Sequence, residues 1–431
     1  MRHRPFVFGT ISIFVLIISG CGGGGSTSST AASPAISPTG KITAFTSVEA
    51  MKAGTVFYIV LDRPNGRILA PIKLVGTSDD ASARQIIFTI DEQPVGSGDA
   101  GSLIVDRKGN SVGALSEGFG SVSNIFQATA IEDEQSILLS GPTAKNHKLT
   151  TTAAPSDGLQ RIVRGVSPYL WSIITKDTKN PLSKLFTLDT SVPPKAAKTP
   201  NLAKGTSYST TVFMISSYGD AVSAYTTGSI TTPYLGKLLC FGHPLNWEGG
   251  SLAIPCCYGS VVDFIVDPVY GSSKLAFPNL SKPAGALIDD RRFGVVVDPT
   301  VTATTIPIVG TVTLNTNAAA TFTGQVSQDP LLETGFALTN ISQGVSNVVD
   351  ASEIAGSATG SATVNFADGS SQTLDLTDSN SATLIEDLYF NFETVLYNED
   401  TFTPIPLQSI TFSFVITTSV SPAHRPGLTH R

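Results

Sequence analysis

Two short segments carry groups that could do nucleophilic chemistry. Gly98-Asp99-Ala100-Gly101-Ser102 has glycine at two positions, which lets the chain bend tightly enough to aim backbone N–H groups inward. Cys240-Phe241-Gly242-His243-Pro244 sets an imidazole between a permissive glycine and a rigid proline. An acyl-transfer site needs a nucleophile, a base to take its proton, an orienting carboxylate and N–H donors for the oxyanion. Ser97 and Ser102 are the hydroxyls nearest the first segment, His243 is a candidate base, and Asp289 and Asp290 are candidate orienting carboxylates. Taken alone, a histidine in a Gly-His-Pro turn more often bridges loops through hydrogen bonds. Asp289-Asp290-Arg291-Arg292 equally describes a surface ion-pair cluster, and Asp99 could stabilise its own turn rather than titrate.

The cysteines raise a separate question. Cys240, His243, Cys256 and Cys257 offer the three thiolates and one imidazole that suit structural zinc. Cys256 and Cys257, however, are adjacent in an apparent strand, where successive side chains point to opposite faces unless a bulge intervenes. Buried apolar cysteines are therefore the main expectation, one disulfide the alternative, and no metal is expected.

From Gly98 to Leu115 the chain resembles the Gly-x-Ser-Gly-Ser-Pro loop and following hairpin of SpoIVB-type serine peptidases. A second stretch, Gly236 to Asp298, resembles the Phe-Gly-His-Pro segment of permuted SpoIVB-like proteins. It holds Leu238-Leu239-Cys240-Phe241-Gly242-His243-Pro244-Leu245, then Ile254-Pro255-Cys256-Cys257, Lys274-Leu275-Ala276-Phe277 and Gly285 to Gly294, preceded by the small-residue strand Gly228-Ser229-Ile230-Thr231. The resemblance implies two β-barrels sharing a crevice, His243 as inherited general base, and Ala100 at the position of the lost nucleophile. Leu103 also replaces the family's proline, and the third catalytic residue has no clear match.

The chain has 431 residues, which fits two or three domains, and only 14% of them are charged, with abundant Gly, Ser, Thr and Val. That mix suits a β-rich exported protein. A net charge of −7 without a lysine or arginine cluster excludes general attraction to nucleic acid. At the N-terminus, Arg2-His3-Arg4 precede an apolar stretch, Phe6 to Ile18, too short for an ordinary transmembrane helix. Ile18-Ser19-Gly20-Cys21 resembles the bacterial lipobox, so residues 1–20 are expected to be a signal peptide and Cys21 the lipidated membrane anchor. Gly22, rather than aspartate, after Cys21 favours the outer membrane where a cell has one.

The expected fold is mostly β: two chymotrypsin-like barrels joined by a partly helical connector, with a C-terminal β-sandwich-like or α+β domain. A Gly/Ser/Thr tether occupies 21–40. The first barrel is assigned to 41–144, with strands at Val56–Leu61, Arg67–Val75, Ile86–Ile90, Ser102–Val105 and Ser111–Leu115, and a turn at Pro64-Asn65-Gly66. Residues 145–203 form the connector, with helical spacing over Leu159–Ile174. The second barrel is assigned to 204–325 and includes a strand at Ile306–Leu314. In the C-terminal domain, 326–431, a helix is expected between Ser381 and Tyr397 with Ile385, Leu388, Tyr389, Phe392 and Leu396 on one stripe.

Alanine at the nucleophile position predicts a nearly inert site, since losing the nucleophile costs on the order of 10⁶ in turnover. The leading expectation is a lipid-tethered pseudopeptidase of the bacterial envelope that binds peptide or an envelope protein, for example by strand addition along a barrel edge, and uses no cofactor. The alternatives are an active serine endopeptidase using a displaced hydroxyl such as Ser102, and a structural or adhesive surface lipoprotein.

Overall fold

Pro64 and Asn65 turn the chain between strands β1 (Val56–Arg63) and β2 (Gly66–Asp80), and Gly66 supplies the positive φ, +106°, that closes the hairpin. β3 (Ala83–Ile90), β4 (Leu103–Val105), β5 (Ser111–Gly118) and β6 (Ile125–Ala130) complete a barrel of order β1-β2-β3-β6-β5-β4, closed by β1 against β4. The run Val56-Phe-Tyr-Ile-Val-Leu61 is apolar on both faces for a tertiary reason. Phe57, Ile59 and Leu61 fill the barrel, while Tyr58 and Val60 pack with Leu103, Val105 and Tyr208. This computed structural model describes residue 48 and residues 51–418, except 81–82, 92, 119–123, 140–159, 191–207, 247–248, 267–271, 316, 378–379, 399–400 and 402. The signal peptide, Cys21 and the tether lie outside the described residues.

After the short helix α1 (Ile131–Leu139), strand β7 (Gln160–Arg164) leads to α2 (Pro168–Lys176), α3 (Leu182–Leu185) and β8 (Thr187–Leu188). The helix expected over Leu159–Ile174 is thus a strand followed by a helix. Ser167 caps α2 by accepting from the Leu170 amide, and Pro168 occupies its first turn, a start signal that apolar spacing alone overlooks.

The second barrel consists of β9 (Thr210–Gly219), β10 (Ser223–Tyr234), β11 (Lys237–Cys240), β12 (Gly249–Ile265), β13 (Ser273–Arg291) and β14 (Gly294–Asp298), closed by β9 against β10. Both six-stranded antiparallel barrels are closed. The β12–β13 hairpin is long enough to reach the first barrel, where Ser273 bridges to Ser97 and the Phe264 ring lies 4.1 Å beneath the Arg63 guanidinium.

The remaining elements are β15 (Thr305–Leu314), β16 (Ala320–Ser327), α4 (Glu333–Val349), β17 (Ser357–Phe366), β18 (Ser371–Leu376), α5 (Leu384–Leu396) and β19 (Leu407–Thr417). They form a sheet of order β18-β17-β19-β15-β16, continuous with the second barrel through β16 and β9. β15, whose sequence position suggests a place in that barrel, pairs instead with β16 and β19. The layer is α+β: α2, α4 and α5 share one apolar cluster with Ile308, Phe322, Phe412 and Phe414, while Thr411, Ser413 and Val415 on the opposite face are exposed.

Candidate functional site

The turn at 98–102 has the positive φ values its glycines allow, +92° at Gly98 and +86° at Gly101. Three of its amides bond within the first barrel. Asp99 N–H donates to the Gly96 carbonyl at 3.0 Å, Gly101 N–H to Leu115 at 2.7 Å, and Ser102 N–H to Asp99 at 2.9 Å. Three amides of the turn therefore hold the turn and its hairpin together. Ala100 is 1% exposed and belongs to the apolar cluster of the second barrel, with Ile230, Phe241 and Leu245. Its carbonyl accepts from the Ser229 amide at 2.7 Å. Ser102 is fully buried, and its hydroxyl has no hydrogen-bond partner. Ser97 uses its backbone to pair with Ser272 and Lys274 of the hairpin.

Asp99 lies at the centre of a buried ion cluster. Arg63 grips both its carboxylate oxygens, at 2.8 and 2.9 Å, and Lys274 Nζ lies 3.1 Å from Oδ1. Lys274 is fully buried and its ammonium also reaches Thr211 Oγ1 at 3.2 Å and Ser229 Oγ at 3.4 Å, so three oxygens take its three donors. Burial opposes charge on Asp99, but Lys274 and Arg63 outweigh it and hold the carboxyl below its usual range. Arg63 comes from β1, Asp99 from the turn and Lys274 from β13, so the cluster ties the hairpin of one barrel to the turn of the other.

The Phe241–Asn246 loop meets this turn. A Cβ on Gly101 would lie 2.2 Å from the Ser229 carbonyl oxygen and 2.5 Å from Phe241 N, and a Cβ on Gly242 would lie 2.9 Å from the Ala114 Cβ. Only glycine permits that approach, and Phe241 and Gly242 both adopt left-handed φ, +72° and +65°. The loop is held from four elements. Thr129 of β6 donates to the Gly242 carbonyl at 2.5 Å, and Glu134 of α1 accepts from the Gly242 amide. Asp290 of β13 accepts from the Leu245 and Asn246 amides at 2.7 Å each, and Arg161 of β7 donates to the Leu245 carbonyl at 3.0 Å. His243 is partly buried, with Nδ1 at 2.6 Å from the Pro244 carbonyl, which places the neutral ring's proton on Nδ1 and makes Nε2 its basic nitrogen.

The two aspartates at 289–290 separate in role. Asp289 pairs with Arg291 at 3.0 Å, whereas fully buried Asp290 shapes the histidine's loop through its backbone. Cys240, Cys256 and Cys257 are buried free thiols; Cys256 faces the cluster around Ala100, and Cys257 the one around Phe213. Burial raises all three, Cys257 to about 12, so none is a thiolate near neutral pH. Among the described residues no group of three or more His, Cys, Asp or Glu could hold a metal ion.

Sequence reasoning missed Arg63, Thr129, Glu134 and Arg161. Lys274 lies in the segment Lys274-Leu275-Ala276-Phe277, where nothing local marks it for a charge cluster. Glu132-Asp133-Glu134 reads as an acidic, solvated first turn, yet Glu134 is fully buried. No helix among the described residues is long and apolar enough to cross a membrane. No family model matches the chain, and a search of curated proteins finds no match.

Proposed function

We propose that this chain is a non-catalytic, SpoIVB-like paired-barrel protein of the bacterial envelope, lipid-tethered through Cys21, that binds a peptide or protein partner rather than cleaving it. The observation that carries the reading is the state of the turn: Ala100 is buried in apolar packing with Ile230, Phe241 and Leu245. An acyl-enzyme needs an exposed nucleophile, and the seam is packed with apolar side chains where it would stand. Burial of Ser102 likewise argues against its use as a displaced nucleophile.

Strand addition would use a sheet edge, and β18, at one end of the sheet, supplies one. The test is labelling of purified protein with a fluorophosphonate probe. The expected result is no labelling of the wild type, nor of Ala100→Ser, whose new hydroxyl would face apolar neighbours. Wild-type labelling that Ser102→Ala removes would identify an active peptidase instead. Incorporation of a fatty-acid label, abolished in Cys21→Ser, tests the anchor separately.

A further inference from the structure

Helix α1 leaves the first barrel immediately after β6 and inserts one carboxyl group into the second. Glu134 is completely buried; Oε1 accepts from Thr231 Oγ1 of β10 at 2.7 Å, and the carboxyl group also accepts from the amide of Gly242. Its other oxygen, Oε2, is buried without a hydrogen-bond partner. A Cβ on Gly294 would come within 3.3 Å of Oε1, so β14 closes the chamber from a further side. With Thr129 on the Gly242 carbonyl, residues of the first barrel thus hold both polar backbone atoms of the residue preceding His243.

We propose that Glu134 is a pH-dependent latch between the barrels, its neutral carboxyl group keeping the Gly242–His243 loop closed and its ionisation loosening that loop. A carboxylate here would put charge on a desolvated oxygen that has no donor. Burial pushes the group up to about 8, against the lowering effect of Thr231 and Gly242. Of the ionisable groups across the seam, Cys240 on β11 is a protonated thiol, and His243 holds Nδ1 against the carbonyl of Pro244. Asp133, beside Glu134 on α1, pairs with Arg84 at 2.7 Å, and Asp298, at the far end of β14, pairs with Lys237. Arg291, at the β13–β14 turn, pairs with Asp289, and Arg292 lies over the Phe293 ring.

The sign follows from linkage. Between an ordinary 4.5 and about 8 the closed seam binds a proton that the open seam releases, so closure weakens as pH rises through that window. The latch stands on the seam's geometry and does not depend on the proposed binding function. Hydrogen exchange of the Phe241–Asn246 amides, corrected for intrinsic base catalysis, measures it directly. Raising the pH from about 6.5 to about 9 should cut wild-type protection roughly thirtyfold, while Glu134→Gln should show no such loss. Thr231→Val, which removes a donor to the carboxylate, should move the wild-type transition to higher pH. Constant wild-type protection, an equal loss in Glu134→Gln, or an unmoved transition in Thr231→Val would each overturn the latch.

Discussion

The seam between the barrels and the C-terminal layer are both buried, and they are held by opposite kinds of contact. At the seam, Arg63, Asp99 and Lys274 form an ion cluster, and Glu134, Asp290 and Arg161 clamp a loop through its backbone. In the C-terminal layer Phe322, Phe392, Phe412 and Phe414 pack on one another at centroid distances of 4.8–6.1 Å, over the buried stripe of α5. An apolar contact tolerates small changes of shape, whereas a buried charge demands its particular partner. The seam is therefore specified by pairing, and the layer by volume.

Substitutions at the seam should be the more damaging. Asp99→Ala leaves Arg63 and Lys274 buried without their counter-charge and should lose about 3–5 kcal/mol of unfolding free energy in a denaturant titration. Lys274→Met, which leaves the Arg63–Asp99 pair standing, should lose less, and an equal loss would mean that the lysine rather than the cluster anchors the hairpin. Gly101→Ala adds a methyl 2.2 Å from a carbonyl oxygen at a residue with φ of +86°, so a loss of about 3 kcal/mol is expected; a neutral result would show that the two loops do not touch as described.

The layer has its own buried acid, Glu333, which accepts from the Leu407 amide at 3.1 Å and is pushed up to about 7, chiefly by burial. A raised folded-state value means that stability falls as pH rises from 4.5 to about 7. Glu333→Gln should flatten that part of the stability–pH curve by on the order of 2 kcal/mol, and an unchanged slope would count against a neutral acid there. The smallest effect is expected for Ile341→Val within α4, about 1 kcal/mol, because one methyl leaves an apolar cluster. A seam variant losing no more than this one would erase the contrast between the regions.

Local chemistry made much of the fold legible. Pro64-Asn65-Gly66 and Lys108-Gly109-Asn110 mark their turns because φ of +106° at Gly66 and +87° at Gly109 suits glycine. The α5 stripe was visible because one face of that helix is buried, and Ile385, Leu388, Tyr389, Phe392 and Leu396 all point into the core. Helix α4 was hidden for the complementary reason. It is buried nearly all round, with Thr339 and Asn340 bonded back to carbonyls one turn earlier, so it shows no polar face to set its period. The two loops stand out in the sequence by their glycines and His243, but their packing against one another does not.

From the sequence by itself came the mostly β class and several turns, because strand alternation and backbone permissiveness are set by near neighbours; the pairing of two barrels came from the family resemblance. Tertiary structure alone decided the fate of the charges. Asp99 is held by an arginine 36 residues away, and Glu134 meets its hydroxyl partner 97 residues away, so whether each is an ion or a neutral acid depends on burial and partners that no local pattern records.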